Sequence, residues 1–421
     1  MRFLISLAFR NLTRYTKRTV ITASAIAFGL GLFIVLDSFL KGAEMESEIN
    51  LINYETATAK VMHPVYLEEQ ENLPLKYVIE GPEAVIGVLH EKSVSAAPRV
   101  VFKAELFVRE DPYPETGSVY VKGIALDPSR DEKVFRLRET VSEGRYLKED
   151  ENGVLIGEWM AADLGARVGY PLTLRVRTRY GAYETLDLEI VGLVNTPNPQ
   201  MNKSTVFLPL STANYYLEME GAVTELALSP GPVFSQSRNP ERTVGRIETI
   251  LHNAGYDLRV HSWKELAPDY VAMAAMKSTG SRIILFLVFV IAAVGITNTM
   301  LMAVFERIRE LGMMRALGMT DRQIRLAFLF EAGGIGLVGA VAGLIFGALV
   351  NWPLVEWGWD FTPMLKQMDI GYRISGVFRS MWNLPTMLRA FFAGIIIAML
   401  VALFPIRRAL KMQITECLRD Q

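Results

Sequence analysis

Four long apolar runs constrain this chain more than any other feature of its sequence. Val20–Leu40 carries one charge, Asp37, and Ile283–Phe305 carries none. Ala332–Val355 is uncharged and extends back to Leu326 across Glu331, while Pro385–Ile406 is interrupted by Arg389 alone. A helix crosses ~30 Å of hydrocarbon with ~20 apolar residues, so each run is long enough to span a bilayer. Core helices of a soluble protein would not recur four times with basic flanks. The first run is too long for a signal-peptide h-region and no small-x-small cleavage site follows it, so it reads as a retained anchor. With 51% apolar and 21% charged residues the chain is not disordered, and its single Cys cannot staple a disulfide scaffold. A net charge of −1 gives no footprint for a nucleic-acid partner.

The flanks set the orientation. Residues 1–19 carry Arg2, Arg10, Arg14, Lys17 and Arg18 and no acid; residues 306–325 carry five Arg; residues 407–421 carry Arg407, Arg408, Lys411 and Arg419. The excess of Lys and Arg assigns all three segments to the cytoplasm. Together they hold 14 basic residues against 5 acidic, so the near-zero net charge hides a basic cytoplasmic side and an acidic remainder. The predicted fold is an α-helical integral membrane protein with four transmembrane helices and a large α/β extracytoplasmic domain between the first and second. The predicted order is a cytoplasmic amphipathic elbow helix (1–19), transmembrane helix 1 (20–40) and an extracytoplasmic α/β domain with stalk helices (41–282). Transmembrane helix 2 (283–305), a cytoplasmic helix (306–321) and transmembrane helix 3 (322–355) follow. An extracytoplasmic loop (356–384), transmembrane helix 4 (385–406) and a cytoplasmic tail (407–421) complete the chain.

Within the large domain, 118–126, 172–178, 186–194 and 205–210 alternate or run β-branched and are predicted strands. Residues 158–164 form a predicted short helix ending at Gly165, and 241–253 place Val244, Ile247 and Leu251 on one helical face before Gly255. Residues 44–54 continue the first span outward and 263–277 lead into the second, which makes two stalk helices. His63, His90, His252 and His261 are scattered with no metal-ligand spacing, Cys417 stands alone, and no GxxxxGK[ST] loop is present. No cofactor is therefore expected to bind this chain.

On the cytoplasmic side, Ile308, Leu311, Met314 and Leu317 recur every three residues among Glu306, Arg309, Glu310 and Arg315. A short amphipathic helix of this kind suits docking into a groove on a soluble partner or lying on the membrane surface, and spacing alone favours neither. Thr320-Asp321 can cap the helix that follows. Residues 2–18, with Arg10, Arg14 and Arg18 on one face, suit an elbow at the membrane surface. Inside the spans, Glu331 is a costly charge expected to face protein or water. Gly339, Gly343 and Gly347 recur at four-residue steps that permit close helix packing, and Thr297, Asn298 and Thr299 form a polar step expected to bond across helices.

Glu306-Arg307-x-Arg309-Glu310-Leu311-Gly312-x-x-Arg315-Ala316-x-Gly318 resembles the coupling-helix motif of the FtsX/MacB-type permeases of ABC transporters. Leu7 to Arg14 resembles that family's opening helix, Val154 to Gly169 a recurrent stretch of its periplasmic core domain, and Pro405 to Arg419 its closing segment. Ile414 stands where the family commonly has Pro. The resemblance covers nearly the whole chain. It implies that residues 306–318 dock on a cytoplasmic ABC ATPase pair that holds ATP-Mg, that a second permease chain, identical or paralogous, completes the complex, and that Glu331 is structural. It also implies a bacterial inner-membrane location with the large domain in the periplasm. The implied work is release of lipoproteins from the membrane in the manner of the LolC/LolE branch, with a periplasmic chaperone or adaptor receiving the cargo. A MacB-like efflux subunit for peptides, toxins or drugs and an FtsX-like regulator of a cell-wall hydrolase are the alternatives.

Overall fold

The computed structural model describes residues 16–230, 240–306, 308–360 and 377–411. Most of the expected elbow and most of the tail, including Ile414, lie outside the described residues. The chain divides into a helical unit, drawn from Met1–Glu46, Met273–Phe361 and Val377–Gln421, and a sheet unit centred on Ser47–Ala272.

Five helices organise the regions outside the sheet: α1 (Thr16–Leu51), α2 (Pro268–Glu306), α3 (Ile308–Ala316), α4 (Asp321–Glu356) and α5 (Leu384–Ala409). Among the described residues, three stretches, Thr19–Thr56, Asp321–Glu356 and Leu384–Arg408, are long and apolar enough to cross a membrane. The second predicted span falls in α2, a 39-residue helix whose described apolar stretch is Arg282–Gly295. As the sequence implied, α1 continues past its apolar run, closing in a π-turn at Ile52–Thr56. The expected continuous helix over 263–277 is corrected: Trp263–Leu266 is one turn, Ala267 leaves the helical region (φ −131°, ψ 61°), and α2 starts at Pro268. The proline ring disfavours the α conformation at the residue before it, so the stalk has a joint there.

Among its described residues the sheet unit carries ten strands: β1 (Ala59–Met62), β2 (Val94–Val108), β3 (Gly117–Leu126), β4 (Val141–Gly144), β5 (Gly153–Gly157), β6 (Pro171–Arg177), β7 (Tyr183–Val194), β8 (Thr205–Pro209), β9 (Glu225–Pro230) and β10 (Arg259–Ser262). Pairings β2–β3, β3–β8, β8–β5, β5–β7, β7–β6 and β6–β2 close a ring of six strands, with β9, β1 and β10 extending from β2 and β4 from β7. Period-two alternation sorts the side chains: in β6, Leu172, Leu174 and Val176 are buried while Arg175 and Arg177 are exposed. The main core gathers Leu106, Val121, Leu174, Leu186 and Ile190 with Val85 and Leu89 of the Pro82–Glu91 helix. Val244, Ile247 and Leu251 of the Pro240–Asn253 helix join it, on the face their spacing indicated.

A second apolar cluster, Val101, Ile124, Leu126, Leu155 and Phe207, receives Tyr54 from the π-turn that ends α1. The same turn is tied down by polar contacts. Arg136 N donates to Asn53 O (3.1 Å), and Asn198 Nδ2 donates to Glu55 Oε2 (2.6 Å). The outward end of α1 is thus built into the sheet unit.

Among the described residues, two buried ion pairs lie on this side, Lys60–Glu225 and Arg99–Asp131. Arg99 Nε meets Asp131 Oδ1 at 2.7 Å, and the guanidinium carbon stands 3.5 Å from the Phe135 ring centre. Burial pushes the Asp131 carboxyl above its ordinary pKa, and Arg99 pulls it back. Removing one partner from such a pair strands a charge in a poor solvent. Arg99→Ala is expected to destabilise the sheet unit by about 3–5 kcal/mol, and Arg99→Met with Asp131→Leu to recover most of that. Thermal unfolding of the full chain in detergent checks this; equal losses for the single and double variants would refute it.

Candidate functional site

The helical unit is held by close approach. A methyl group built on Gly339 would stand 2.8 Å from Ile26 Cβ and 3.0 Å from Ala23 O of α1. On Gly343 it would meet Ala27 O at 3.0 Å, and on Gly347 Ile34 Cβ at 3.1 Å. One turn earlier, Gly336 faces α5, where a methyl would come 2.8 Å from Ala398 Cβ. Thus α4 presents one glycine edge to α1 and another small residue to α5. Around these contacts pack Ile26, Leu30 and Ile34 of α1, Phe328 and Ile335 of α4, and Ala398 and Ala402 of α5. Outward, α5 exposes Leu388, Phe392, Ile396, Leu400 and Phe404 at four-residue steps, an apolar stripe suited to lipid.

Polar side chains tie the ends of the same helices. At one end Asn383 Nδ2 donates to Asp37 Oδ2 (3.0 Å), Ser380 Oγ donates to Asn351 Oδ1 (2.5 Å), and Met381 N donates to Ser38 O (3.3 Å). Ser38, Asn351 and Ser380 are buried. The partner of Asp37 is 346 positions away, so no local pattern marks the pair. Beside this cluster opens a cavity of about 520 Å3 with an apolar wall of Phe33, Leu285 and Ala393 and a charged rim of Asp37, Arg282 and Arg389. Glu331 is buried (5% exposed) on the packed face of α4. Asn298 is exposed on α2, and Thr297 Oγ1 donates to Ala293 O of its own helix (2.7 Å), which corrects the expected bond across helices for that residue. A Thr hydroxyl satisfies itself on the preceding turn at little cost.

At the opposite end lies α3. Gly318 ends its turn at φ +90°, a conformation that favours glycine. Thr320 then caps α4 through a reciprocal box with Gln323, as the Thr-Asp pair indicated. The supposed apolar stripe divides. Met314 packs on the core of the helical unit, whereas Leu317 is 86% exposed beyond the helix end. Steps of three residues drift about 60° per step around a helix of 3.6 residues per turn, so they do not hold one face. Met313 and Leu317, four apart, point outward together with Arg309. Gly312 is buried and Glu310 partly so. Arg307 and the side chain of Glu306 lie outside the described residues. Arg315 turns inward. Its Nη2 donates to Asp321 Oδ1 (2.8 Å) and to Leu410 O (2.6 Å), and its Nε to Asp321 Oδ1 (3.1 Å).

Comparison with known proteins now decides the family. Residues 19–236 match the model of the MacB-like periplasmic core domain, and residues 282–414 match the FtsX-like permease C-terminal model. The chain belongs to the FtsX/MacB-type ABC transporter permease family. Among relatives of this permease, the lipoprotein-releasing system transmembrane protein LolE of Haemophilus influenzae is 23% identical over 416 residues, 94% of this chain and 93% of that one. The LolC protein of Neisseria meningitidis is 25% identical over 344 residues, 79% and 77% of the two chains. The macrolide export ATP-binding/permease protein MacB of Brucella abortus is 27% identical over 209 residues, 47% of this chain and 32% of that one.

For this permease, the glycine edge yields a direct test. Gly339→Leu is expected to cost about 1–3 kcal/mol through overpacking against α1. Gly295→Ala, where an added methyl meets nothing within 4 Å, is expected to leave stability unchanged. Detergent melting curves compare the two, and equal shifts would contradict the packing role.

Proposed function

We propose that this permease crosses the inner membrane four times with both ends in the cytoplasm, and that a partner ATPase moves it to release lipoproteins from the outer leaflet. The observation that carries the reading is the span of the match: LolE aligns over 94% of this chain, helices and sheet unit together, whereas MacB aligns over 47%. The basic flanks at 1–19, 306–325 and 407–421 support the orientation, and Ile283–Phe305 within α2 supplies the second span. The rimmed cavity supports an amphipathic cargo, because its apolar wall suits acyl chains and its charges suit a polar head. A second permease chain and a periplasmic acceptor complete the cycle.

In this reading the exposed face of α3, with Arg309, Met313 and Leu317, docks on the ATPase, and Glu306 and Arg307 flank it. Gly312 and Gly318 let the element pack and turn. Met and Arg are enriched at interface cores, and Met313 stands beside Arg309 on this face. Leu317→Asp is expected to weaken co-purification of the ATPase about tenfold or more while membrane insertion is retained. Cells depleted of the permease are expected to retain acylated proteins in the inner-membrane fraction. Unchanged fractionation with lost tolerance to macrolides would replace lipoprotein release by efflux, the reading that the MacB match favours.

A further inference from the structure

The family motif places Arg315 among residues that face the ATPase, but the side chain is 12% exposed and committed to its own chain. Leu410 is the C-cap residue of α5, at the helix end where carbonyls lack helical donors and the dipole is negative. Asp321 opens α4, where the dipole is positive and favours an acid. The guanidinium of Arg315, itself in the last turn of α3, therefore joins three helix ends by charge-assisted hydrogen bonds. Only Arg has the planar fork that serves a carboxylate and a carbonyl at once; Lys offers a point charge.

We propose that Arg315 is a positioning residue, a latch that fixes α3 to the first turn of α4 and the C-cap of α5, and not a contact for the ATPase. The proposal rests on the reading that α3 docks an ATPase. Its consequence is a defined route for motion. Displacement of α3 pulls the end of α5, and the far end of α5 holds α1 through Asn383 and Asp37. The helix that enters the sheet unit is thereby moved through α5 as well as through the glycine edge of α4.

The test uses the full chain in lipid nanodiscs, with Cys417→Ser and spin labels on Met313→Cys and Lys411→Cys. Both labelled sites lie outside the latch, on the exposed face of α3 and just past α5. Pulsed electron resonance is expected to report one narrow distance. Arg315→Ala, and separately Asp321→Ala, which leaves Arg315 in place, are each expected to abolish that narrow distance, and Arg315→Lys to restore it only partly. ATPase co-purification, measured on the unlabelled chain with Met313 intact, is expected to fall in parallel for all three. An unchanged distance in Arg315→Ala with lost ATPase binding would make Arg315 a docking contact and overturn the proposal; an unchanged distance with unchanged binding would overturn it equally. A wild-type chain that binds no ATPase yet loses its narrow distance in the variants would overturn the docking reading and leave the latch standing.

Discussion

Inside a bilayer, apolar side chains gain almost nothing by leaving lipid for one another, so helices stay together only through close packing and shared polar groups. Here both devices act on α4. Its glycines bring the backbone against Ala23, Ala27 and Ile34 of α1, and Gly336 admits Ala398 of α5. Without those bare positions, Ile26 and Ala398 would be displaced by the width of a methyl group, and the ends of the helices could not reach their polar partners. The Asn383–Asp37 and Ser380–Asn351 bonds at one end and Arg315 at the other depend on that spacing.

Because α4 and α5 are tied at both ends and α1 at one, they suit rigid transmission better than a flexible gate. A stiff helix pack lets force applied at one end arrive elsewhere with little loss. The sheet unit takes up α1 through the π-turn, where Tyr54 is buried and Glu55 is bonded to Asn198. The ring of six strands gives that turn a firm seat.

Much of this was legible in the residues. The apolar runs, the Thr320 cap, the helical face at Val244, Ile247 and Leu251 and the four predicted strands follow from local periodicity and capping chemistry. What was not legible joins distant positions. Arg315 meets Leu410 across 95 residues and Asp37 meets Asn383 across 346, and no local pattern marks such pairs. Asn351 and Asp37, polar within apolar runs, were the available signals for the buried cluster at that end. Ring closure of the sheet is likewise non-local, since β2 meets β6 after three other strands have intervened. At Ala267 the signal was present in Pro268 and was outweighed by the helical pattern on either side.

Transmission from α3 to the sheet unit has meaning only if the two lie on opposite sides of a membrane. Site-directed labelling with a membrane-impermeant maleimide measures this directly, in a Cys417→Ser background with Leu317→Cys or Tyr183→Cys, both highly exposed positions. In intact spheroplasts, Tyr183→Cys should label and Leu317→Cys should label only after permeabilisation. Labelling of both, or of neither, before permeabilisation would place them on one side and contradict the transmission mechanism.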